Sequence, residues 1–363
     1  MKPENEKNSH IGQSLITRYL RKVEKPKDDS EIINPFDIDL NSGEVEFYHN
    51  EYCQVIALDY TNEGMTSYLE ETTSHMIPCV EKDTIERIRQ YSIGIVGLGS
   101  VGSYTSSAMA RLGVHRLDLY DGDEYSIENM DKQAIDLRSI GKNKANDRAN
   151  RLALINPYVQ VEAHPKNLED ADIEEIVTNN DIIIASFDDL TILQKLHHEA
   201  YRQGKIIIYP LDLGHDVHIE VYDYRIENKK RKLYNGKIKD EQVSKMVRKD
   251  PHNTNDFDII VHSSRKVPTI LRYPQGAIRM PERLARMADK KYIDSDNIPQ
   301  SLVASFITAG LSAHIIISIA ENNPQETIWI SADKSWNSVY NNMRRSIVKI
   351  LKVHSRLRNI KNK

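Results

Sequence analysis

The chain has 363 residues, of which 39% are hydrophobic and 28% charged, and its formal net charge is -4. This size and composition predict a globular protein with one large domain and room for a smaller module. The nearly balanced charge excludes a basic surface over the whole molecule. Only two cysteines, Cys53 and Cys79, are present. We therefore expect a reducing compartment and no cysteine-rich zinc site.

The first 81 residues predict a flexible arm followed by a small α+β module. Residues 1–30 are rich in Lys, Glu, Asp and Asn, a composition that disfavours a packed core. Residues 43–60 contain short apolar bursts and predict two strands with a turn near Asn50. No apolar stretch occurs in the first nine residues, so we expect no secretory signal and a cytoplasmic location.

Residues 82–224 alternate between helix and strand patterns. Strands are predicted at 92–96, 115–120, 159–163, 181–186 and 206–209, with a further strand pair near 217–224. Helices are predicted over 83–90, 101–112, 142–154, 171–178 and 191–203. This alternation predicts an α/β fold with a doubly wound, mostly parallel sheet covered by helices. Right-handed crossovers then place a ligand at the carboxyl ends of the strands.

The remainder predicts a charged insertion, a core helix and a basic tail. Residues 225–297 are charged and interrupted by prolines, which is typical of a surface insertion. Residues 302–320 are long and apolar enough to suggest a membrane span, but their hydroxyl and imidazole groups favour a buried helix. Residues 329–330 predict a last strand. For the basic residues 344–363, nucleic-acid contact rests on charge alone, and a solvated amphipathic helix is the simpler interpretation.

The most informative motif follows the predicted strand at 92–96. Gly97, Gly99 and Gly102 stand where that strand turns into a helix. Such a turn leaves backbone N–H groups at the positive end of the helix, where a phosphate binds. Asp121 ends the next strand roughly twenty residues later, the position from which a carboxylate accepts hydrogen bonds from ribose hydroxyls. These residues fit NAD and ATP equally.

The polar residues that come after Asp121 separate the two nucleotides. They are Asp123, Asn129, Lys132, Gln133 and Lys144, which include amide side chains and two cations. Phosphoryl or nucleotidyl transfer needs such groups, because negative charge develops on the phosphate oxygens and the leaving pyrophosphate. Hydride transfer has no such need. Asp188, behind the strand at 181–186, offers the carboxylate that magnesium prefers.

These residues resemble the adenylating family of ThiF, MoeB and the ubiquitin-activating enzymes. The family signature is a glycine loop followed by D-x-D, S-N-L-x-R-Q, G-x-x-K and a strand ending in T-D-N. The resemblance covers about residues 82–224, with 302–320 as the family's C-terminal helix. It implies a Rossmann-like, ThiF-type domain over 82–343 that binds ATP and Mg²⁺, with 344–363 as a tail.

The resemblance also implies a role for each matched residue. It assigns the nucleotide to Gly97, Gly99, Gly102, Asp121, Asp123 and Gln133, with Asp121 on the ribose. It assigns the chemistry to Asn129 and Lys132 at the phosphates, Lys144 at the α-phosphate and attacking carboxylate, and Asp188 at the magnesium ion. The implied reaction joins a carboxylate to the α-phosphate of ATP and releases pyrophosphate. The acid would be a ubiquitin-like protein, a peptide or another carboxylic acid.

This chain departs from the family pattern at four points. Lys132 stands where the family has arginine, and Asp189 stands where T-D-N has asparagine, which predicts altered or reduced activity. No cysteine follows Cys79, so the cysteine that forms a thioester in many relatives has no counterpart. The family's paired zinc cysteines are absent as well, so the chain resembles a cysteine-poor branch of the family.

Relatives often form dimers, and in some of them an arginine of the partner's N-terminal arm reaches the γ-phosphate. Arg18 and Arg21 lie in a segment similar to that arm, so a homodimer is expected, with these residues as candidates. Two other functions stay open from the residues alone. One is an NAD-dependent oxidoreductase, and the other is a degenerate fold that binds ATP or a partner without chemistry.

Overall fold

The computed structural model describes residues 16–22, 36–39, 44–49, 52–58, 62–77, 79–187, 189–213, 216–226, 301–323 and 328–331. The chain divides into two compact units, Met1–Lys82 and Asp83–Lys363. Nearly all of the predicted insertion at 225–297 lies outside the described residues, and so does the predicted tail at 344–363.

The first unit contains an antiparallel sheet with strand order β1-β4-β3-β2. Its elements are β1 (Ile16–Lys22), β2 (Phe36–Asp39), β3 (Glu44–His49), β4 (Tyr52–Leu58) and helix α1 (Asn62–Thr73). β3 and β4 match the two strands predicted around Asn50. β1 lies within the segment predicted to be a flexible arm. It pairs with β4 along its whole length, and that long-range pairing leaves little trace in local composition.

The second unit is built on a seven-stranded sheet with order β11-β10-β9-β8-β5-β6-β7. The strands are β5 (Ser92–Val96), β6 (Arg116–Tyr120), β7 (Gln160–His164), β8 (Ile182–Ala185), β9 (Ile206–Leu213), β10 (Asp216–Asp223) and β11 (Ile328–Ser331). From β9 to β7 neighbouring strands are parallel, whereas β10 and β11 add an antiparallel edge. The predicted α/β fold with a doubly wound, mostly parallel sheet is confirmed.

The helices of this unit cover both faces of the sheet. They are α2 (Lys82–Ile88), α3 (Ser100–Leu112), α4 (Lys144–Ile155), α5 (Asp172–Asn179), α6 (Leu190–Gln203) and α7 (Leu302–Ala320). α3 contacts both α4 and α7 on one face, while α5 and α6 pack together on the other. One expectation was wrong: residues 217–224 form the single strand β10 rather than a strand pair, because their apolar alternation continues without a turn residue.

α7 is long and apolar enough to cross a membrane by length and composition alone. It packs against α3, β9 and β10, and half of its most apolar stretch is buried inside the molecule. Two of its hydroxyl groups find acceptors there: Thr308 Oγ1 donates to the Ala304 carbonyl at 2.7 Å, and Ser305 Oγ donates to Asp212 Oδ2 at 3.3 Å. These contacts match the environment predicted for a core helix.

The strand order creates a crevice where β5 ends. From β5 the chain moves outward to β6 and β7, and it then returns to β8 on the other side of β5. The loops after β5 and β8 therefore leave toward opposite faces, and a crevice between such loops is where α/β sheets bind ligands. Ser186 joins the two loops, since its Oγ donates to the Gly97 carbonyl at 2.6 Å.

Candidate functional site: a nucleotide crevice at the carboxyl end of β5

The glycines of the loop after β5 and of the first turn of α3 serve two different purposes. Gly97 has φ 84°, and a Cβ there would lie 2.3 Å from the Ser186 carbonyl oxygen. A Cβ at Gly102 would lie 1.9 Å from the Gly97 carbonyl oxygen, so both positions require glycine for the turn itself. At Gly99 the nearest atom to a Cβ is Gln133 Nε2 at 4.0 Å. The fold therefore does not require glycine at position 99, and the open space beside Gly99 can hold a ligand.

α3 begins at this open glycine. Gly99 is its N-cap residue, no side chain caps the first turn, and that turn has no acidic residue. The first N–H groups of a helix have no partner within the helix and attract anions. The start of α3 therefore has the features of a phosphate-binding site.

Asp121 fastens the glycine loop to the following turn. Its Oδ2 accepts a hydrogen bond from the Leu98 N–H at 2.7 Å, and its Oδ1 accepts one from the Asp123 N–H at 2.9 Å. A carboxylate offers about four acceptor positions, so Asp121 keeps capacity for a ribose hydroxyl. Burial raises the pKa of the Asp121 carboxyl above its ordinary range, and the Lys144 ammonium group opposes part of that shift.

Lys144 lies at the same turn. Its Nζ is 2.9 Å from Asp123 Oδ2, and the Lys144 side chain is only 11% exposed whereas that of Asp123 is 66% exposed. A well-exposed carboxylate can swing into solvent at little cost. The ammonium group is therefore held at the crevice by a partner that an incoming anion can replace.

Sequence reasoning missed the residue that joins these two segments. Asn143 Nδ2 donates to the carbonyls of Asp121 and Asp123, both at 3.1 Å, and its Oδ1 caps α4 by accepting from the Asn146 N–H. The signal available was an asparagine, a residue type preferred at helix N-caps, near the start of the helix predicted at 142–154. Asn143 thus positions Lys144 against the turn that contains both aspartates.

Residues 129–134, which we call the binding segment, approach the glycine loop from the other side. Gln133 is 6% exposed, and its Oε1 has no hydrogen-bond partner within the described part of the chain. The Gln133 atom that lies beside Gly99 is Nε2. Buried polar atoms are almost always bonded, so the unpartnered oxygen of the same amide group fits a site that binds a polar ligand. The residues present therefore fit a nucleotide at this position.

Two further residues of the binding segment have different surroundings. Asn129 Oδ1 accepts from the Ser126 N–H at 3.0 Å and from Ser126 Oγ at 3.2 Å, which stabilises the turn before it. Lys132 is half-buried, and over the described ranges its ammonium group has neither an ion pair nor a hydrogen bond. Asn129 thus has a structural task already, whereas Lys132 is available for a ligand.

The end of β8 contains a helix cap. Asp189 caps α6, since its side chain accepts from the N–H groups of Thr191 and Ile192 at 2.8 Å and 3.1 Å. Asp189, where the family has asparagine, therefore has a local task that both residue types perform. The predicted magnesium ligand Asp188 lies outside the described residues, so that assignment stays a prediction.

Another carboxylate, not singled out as a site residue from the sequence, lies beside the start of α3. Asp212, at the end of β9, accepts a hydrogen bond from Ser100 Oγ at 2.9 Å as well as the one from Ser305. It ties α7 to the first residue of α3. No local pattern in the sequence relates these three positions.

The two arm candidates belong to the first unit. Arg18 and Arg21 lie on β1, opposite Ile56 and Cys53 of β4. Their proposed reach to the phosphates of a partner copy stays a prediction.

A separate group of potential metal ligands lies on β6 and β7. Asp118, Glu162 and His164 have ligand atoms within 4.8 Å of one another. Arg116 already bonds both carboxylates, with Nε 2.7 Å from Asp118 and Nη2 2.5 Å from Glu162. Because the guanidinium neutralises this pair, we assign no metal to it.

Comparison with known proteins gives partial matches in sequence. Ubiquitin-like modifier-activating enzyme 5 of Oryza sativa subsp. japonica is 40% identical over 86 residues, which are 24% of this chain and 20% of that protein. The probable molybdopterin-synthase adenylyltransferase of Gracilaria tenuistipitata var. liui is 27% identical over 141 residues, 39% of this chain and 40% of that protein. The match thus spans a fifth of the first relative and two fifths of the second.

A solved structure of Escherichia coli MccB with AMPCPP and MccA is similar over 69% of this chain and 64% of that chain, with 15% identity and a TM-score of 0.49. At this score the likeness supports no functional assignment. The sequence model of the ThiF family, in contrast, matches residues 72–323. This range is more than half of the chain and includes the glycine loop, both aspartates of the following turn and Lys144, so the chain belongs to the ThiF family.

Proposed function

We propose that this protein adenylates a carboxylate with ATP, forming an acyl-adenylate and pyrophosphate. The observation that carries the proposal is the convergence of an uncapped helix start, a ribose-position carboxylate and a partly buried ammonium group in one crevice. The sequence relatives support it, since one of them is named an adenylyltransferase.

The crevice offers a place for each part of the nucleotide. The phosphates would lie at the start of α3 over Gly99, where backbone N–H groups offset their charge. The ribose would bond the free acceptor positions of Asp121. Asp188 is the residue that we propose to hold Mg²⁺, which when bound neutralises charge on the phosphates.

In the reaction, an oxygen of the substrate carboxylate attacks the α-phosphorus. The bond from that phosphorus to the bridging oxygen of the β-phosphate breaks, and the electron pair leaves with pyrophosphate. Two anions approach each other in this step, so cations beside the α-phosphate lower the barrier. Lys144 would exchange Asp123 for the phosphate, and Lys132 would add a second positive charge.

The acid that we propose first is the C-terminal carboxylate of a ubiquitin-like protein. Several relatives are named ubiquitin-like modifier-activating enzymes, and this name is the support for the choice. A peptide or a small acid is the alternative within the same reaction. Because no cysteine follows Cys79, we propose that the adenylate passes to an external nucleophile without a thioester on this chain.

The test is exchange of labelled pyrophosphate into ATP, which requires a reversible adenylation step. The probe is a ubiquitin-like protein with a free C-terminal carboxylate, and the matched control is the same protein with a C-terminal amide, which cannot attack. We expect exchange with the acid only. No exchange with this protein, a peptide or a small acid, together with no ATP binding, would refute the proposal.

A pair of lysine variants tests the residue roles. Lys144→Ala should lower exchange by at least about 100-fold, the scale expected for loss of a group that stabilises charge in the transition state. Lys142→Ala, two residues away, is the control because that side chain is exposed and its nearest carboxylate is 4.0 Å distant. Equal effects of both variants would contradict the assigned role of Lys144.

Calorimetry separates the two other functions. ATP binding without NAD binding supports adenylation, whereas the reverse result supports an oxidoreductase. ATP binding without exchange for any acid supports a degenerate binding module.

We also propose a cytoplasmic homodimer. The second copy would pack on the face of α3, α4 and α7, where Val303 and Phe306 are more than half exposed and a cleft of about 600 Å³ has Ala108, Ala309 and Gly310 in its lining. Small residues allow close approach, and the two large apolar side chains lose water on contact. Sedimentation should give a dimer for the wild type and a monomer for Phe306→Asp; a wild-type monomer at high concentration would contradict the dimer.

A further inference from the structure

A buried arginine outside the family signature lies directly beneath the binding segment. Arg148, on α4, is 2% exposed. Its Nη1 donates to the Ala134 carbonyl at 2.7 Å, its Nε donates to Ser106 Oγ at 3.0 Å, and its Nη2 donates to Ser107 Oγ. All three acceptors are neutral, and across the described ranges no carboxylate forms an ion pair with this guanidinium.

A buried cation without an ionic partner is costly to the fold. Desolvation of a charged group is offset only when good hydrogen bonds replace water, and an apolar side chain of similar volume often fills such a place at lower cost. Burial lowers the pKa of Arg148 to about 10, so the group is still charged at neutral pH. The cost indicates a task that a hydrophobic residue would not perform.

The contacts of Arg148 identify that task. Ala134 is bonded on both sides of its backbone: its N–H donates to Ser103 Oγ at 3.1 Å, and its carbonyl accepts from Arg148. Tyr104 Oη also donates to the Gln133 carbonyl at 3.4 Å. The C-terminal end of the binding segment is thus fastened to α3, the helix that starts at Gly99, and to α4, the helix that starts at Lys144.

We propose that Arg148 is a positioning residue for the nucleotide: its guanidinium fixes Ala134 against α3 and thereby holds Gln133 opposite Gly99 and Lys132 at the crevice. The inference rests on the proposed function of the crevice. Gln133 is adjacent to Ala134 in the chain, so a shift of the Ala134 peptide moves the buried amide that faces the glycine loop.

Arginine suits this position better than lysine. The three acceptors lie in different directions around one planar group, and they belong to α3 and to the binding segment. The guanidinium has a rigid fork of five N–H donors, whereas an ammonium group is a single point charge on a flexible stem. Arg148→Lys therefore keeps the charge but not the geometry.

The principal test compares Arg148→Met with a core variant on the other face of the sheet, and the melting temperature is measured for both. Val177→Ala serves as that control, because Val177 is fully buried on α5, which packs against α6, β5 and β8. In ATP–pyrophosphate exchange, Arg148→Met should raise the KM for ATP at least about tenfold, which corresponds to about 1.4 kcal/mol. Val177→Ala should leave that KM unchanged while lowering the melting temperature through loss of buried methyl groups.

Two further variants keep the test decisive if Arg148→Met does not fold. Ser103→Ala removes one hydroxyl at the opposite side of the same peptide and should raise the KM for ATP in the same direction. Arg148→Lys should resemble Arg148→Met rather than the wild type. The inference is overturned if Arg148→Lys restores the wild-type KM, or if Ser103→Ala leaves the KM unchanged.

A measurement on the ligand-free protein separates this inference from the proposed function. Amide hydrogen exchange of residues 129–134 should be faster in Ser103→Ala and Arg148→Lys than in Val177→Ala. If the wild-type protein binds no ATP while amide hydrogen exchange in residues 129–134 is still faster in these variants, the proposed function fails but Arg148 does fix the binding segment. If amide hydrogen exchange in this segment matches that of Val177→Ala, Arg148 does not fix the binding segment and the inference is refuted.

Discussion

Gly99 and Gly102 give opposite predictions for the same substitution. At Gly102, an alanine Cβ would lie 1.9 Å from the Gly97 carbonyl oxygen and 2.7 Å from Ser186 Oγ, and the first of these is a backbone atom that cannot rotate away. Overpacking typically lowers the free energy of unfolding by about 1–3 kcal/mol, and we expect this backbone clash to lower it by about 3 kcal/mol or more. For a unit of this size, that free energy corresponds to a loss of about 6–12 °C in Tm.

At Gly99 the same methyl group meets no protein atom closer than 4.0 Å. Alanine in place of glycine at an N-cap costs about 1 kcal/mol or less, so Tm should change by no more than about 4 °C. The methyl group would occupy the space that we assign to phosphate, and ATP should bind at least about tenfold more weakly, a change of about 1.4 kcal/mol.

The assay pairs thermal unfolding with calorimetric titration of ATP for both variants and the wild type. We expect Gly102→Ala to lose stability and Gly99→Ala to lose affinity while retaining its fold. If Gly99→Ala binds ATP as tightly as the wild type, the open space at the start of α3 is not the phosphate site. If Gly102→Ala melts at the wild-type temperature, the argument that a Cβ at position 102 clashes with the Gly97 carbonyl oxygen is wrong.

Three other substitutions test neighbouring parts of the unit. Asp189→Ala should lower stability by about 1 kcal/mol through loss of the α6 cap, whereas Asp189→Asn should melt like the wild type, as thermal unfolding would show. Asn129→Asp keeps the acceptor for the turn but adds a negative charge, so titration should show weaker ATP binding at unchanged Tm; unchanged affinity would restrict Asn129 to its turn. Arg138 and Arg151 hold the pKa of the Asp136 carboxyl well below its usual range, and that stabilisation is present above about pH 3.9 and fades as the pH falls. Asp136→Asn should therefore melt below the wild type at pH 7, with the two melting temperatures converging below about pH 3.9; a constant gap in fluorimetry across this range would contradict the argument.

Local patterns in the sequence contained most of the information about the second unit. The strand and helix periods placed each element from α2 to α6 within about two residues of its observed start, because burial on a sheet or a helix face repeats along the chain. The glycine loop was equally readable, since a strand that turns sharply into a helix restricts the residue types that fit. The first unit was less readable. β1 lies where a flexible arm was predicted, because its pairing partner β4 is about thirty to forty residues away in the chain.

The arrangement of the candidate site was decided by tertiary structure. Asp121 and Lys144 were predictable as polar residues of a motif, but their bonds to Leu98 and Asp123 follow from how three loops meet at one edge of the sheet. Arg148 reads in the sequence as one more charged residue of a helix, and only packing shows that its guanidinium is buried under the binding segment. The physical reason is that periodicity and turn chemistry act between near neighbours, whereas hydrogen bonds that converge on a site join residues brought together by the sheet order.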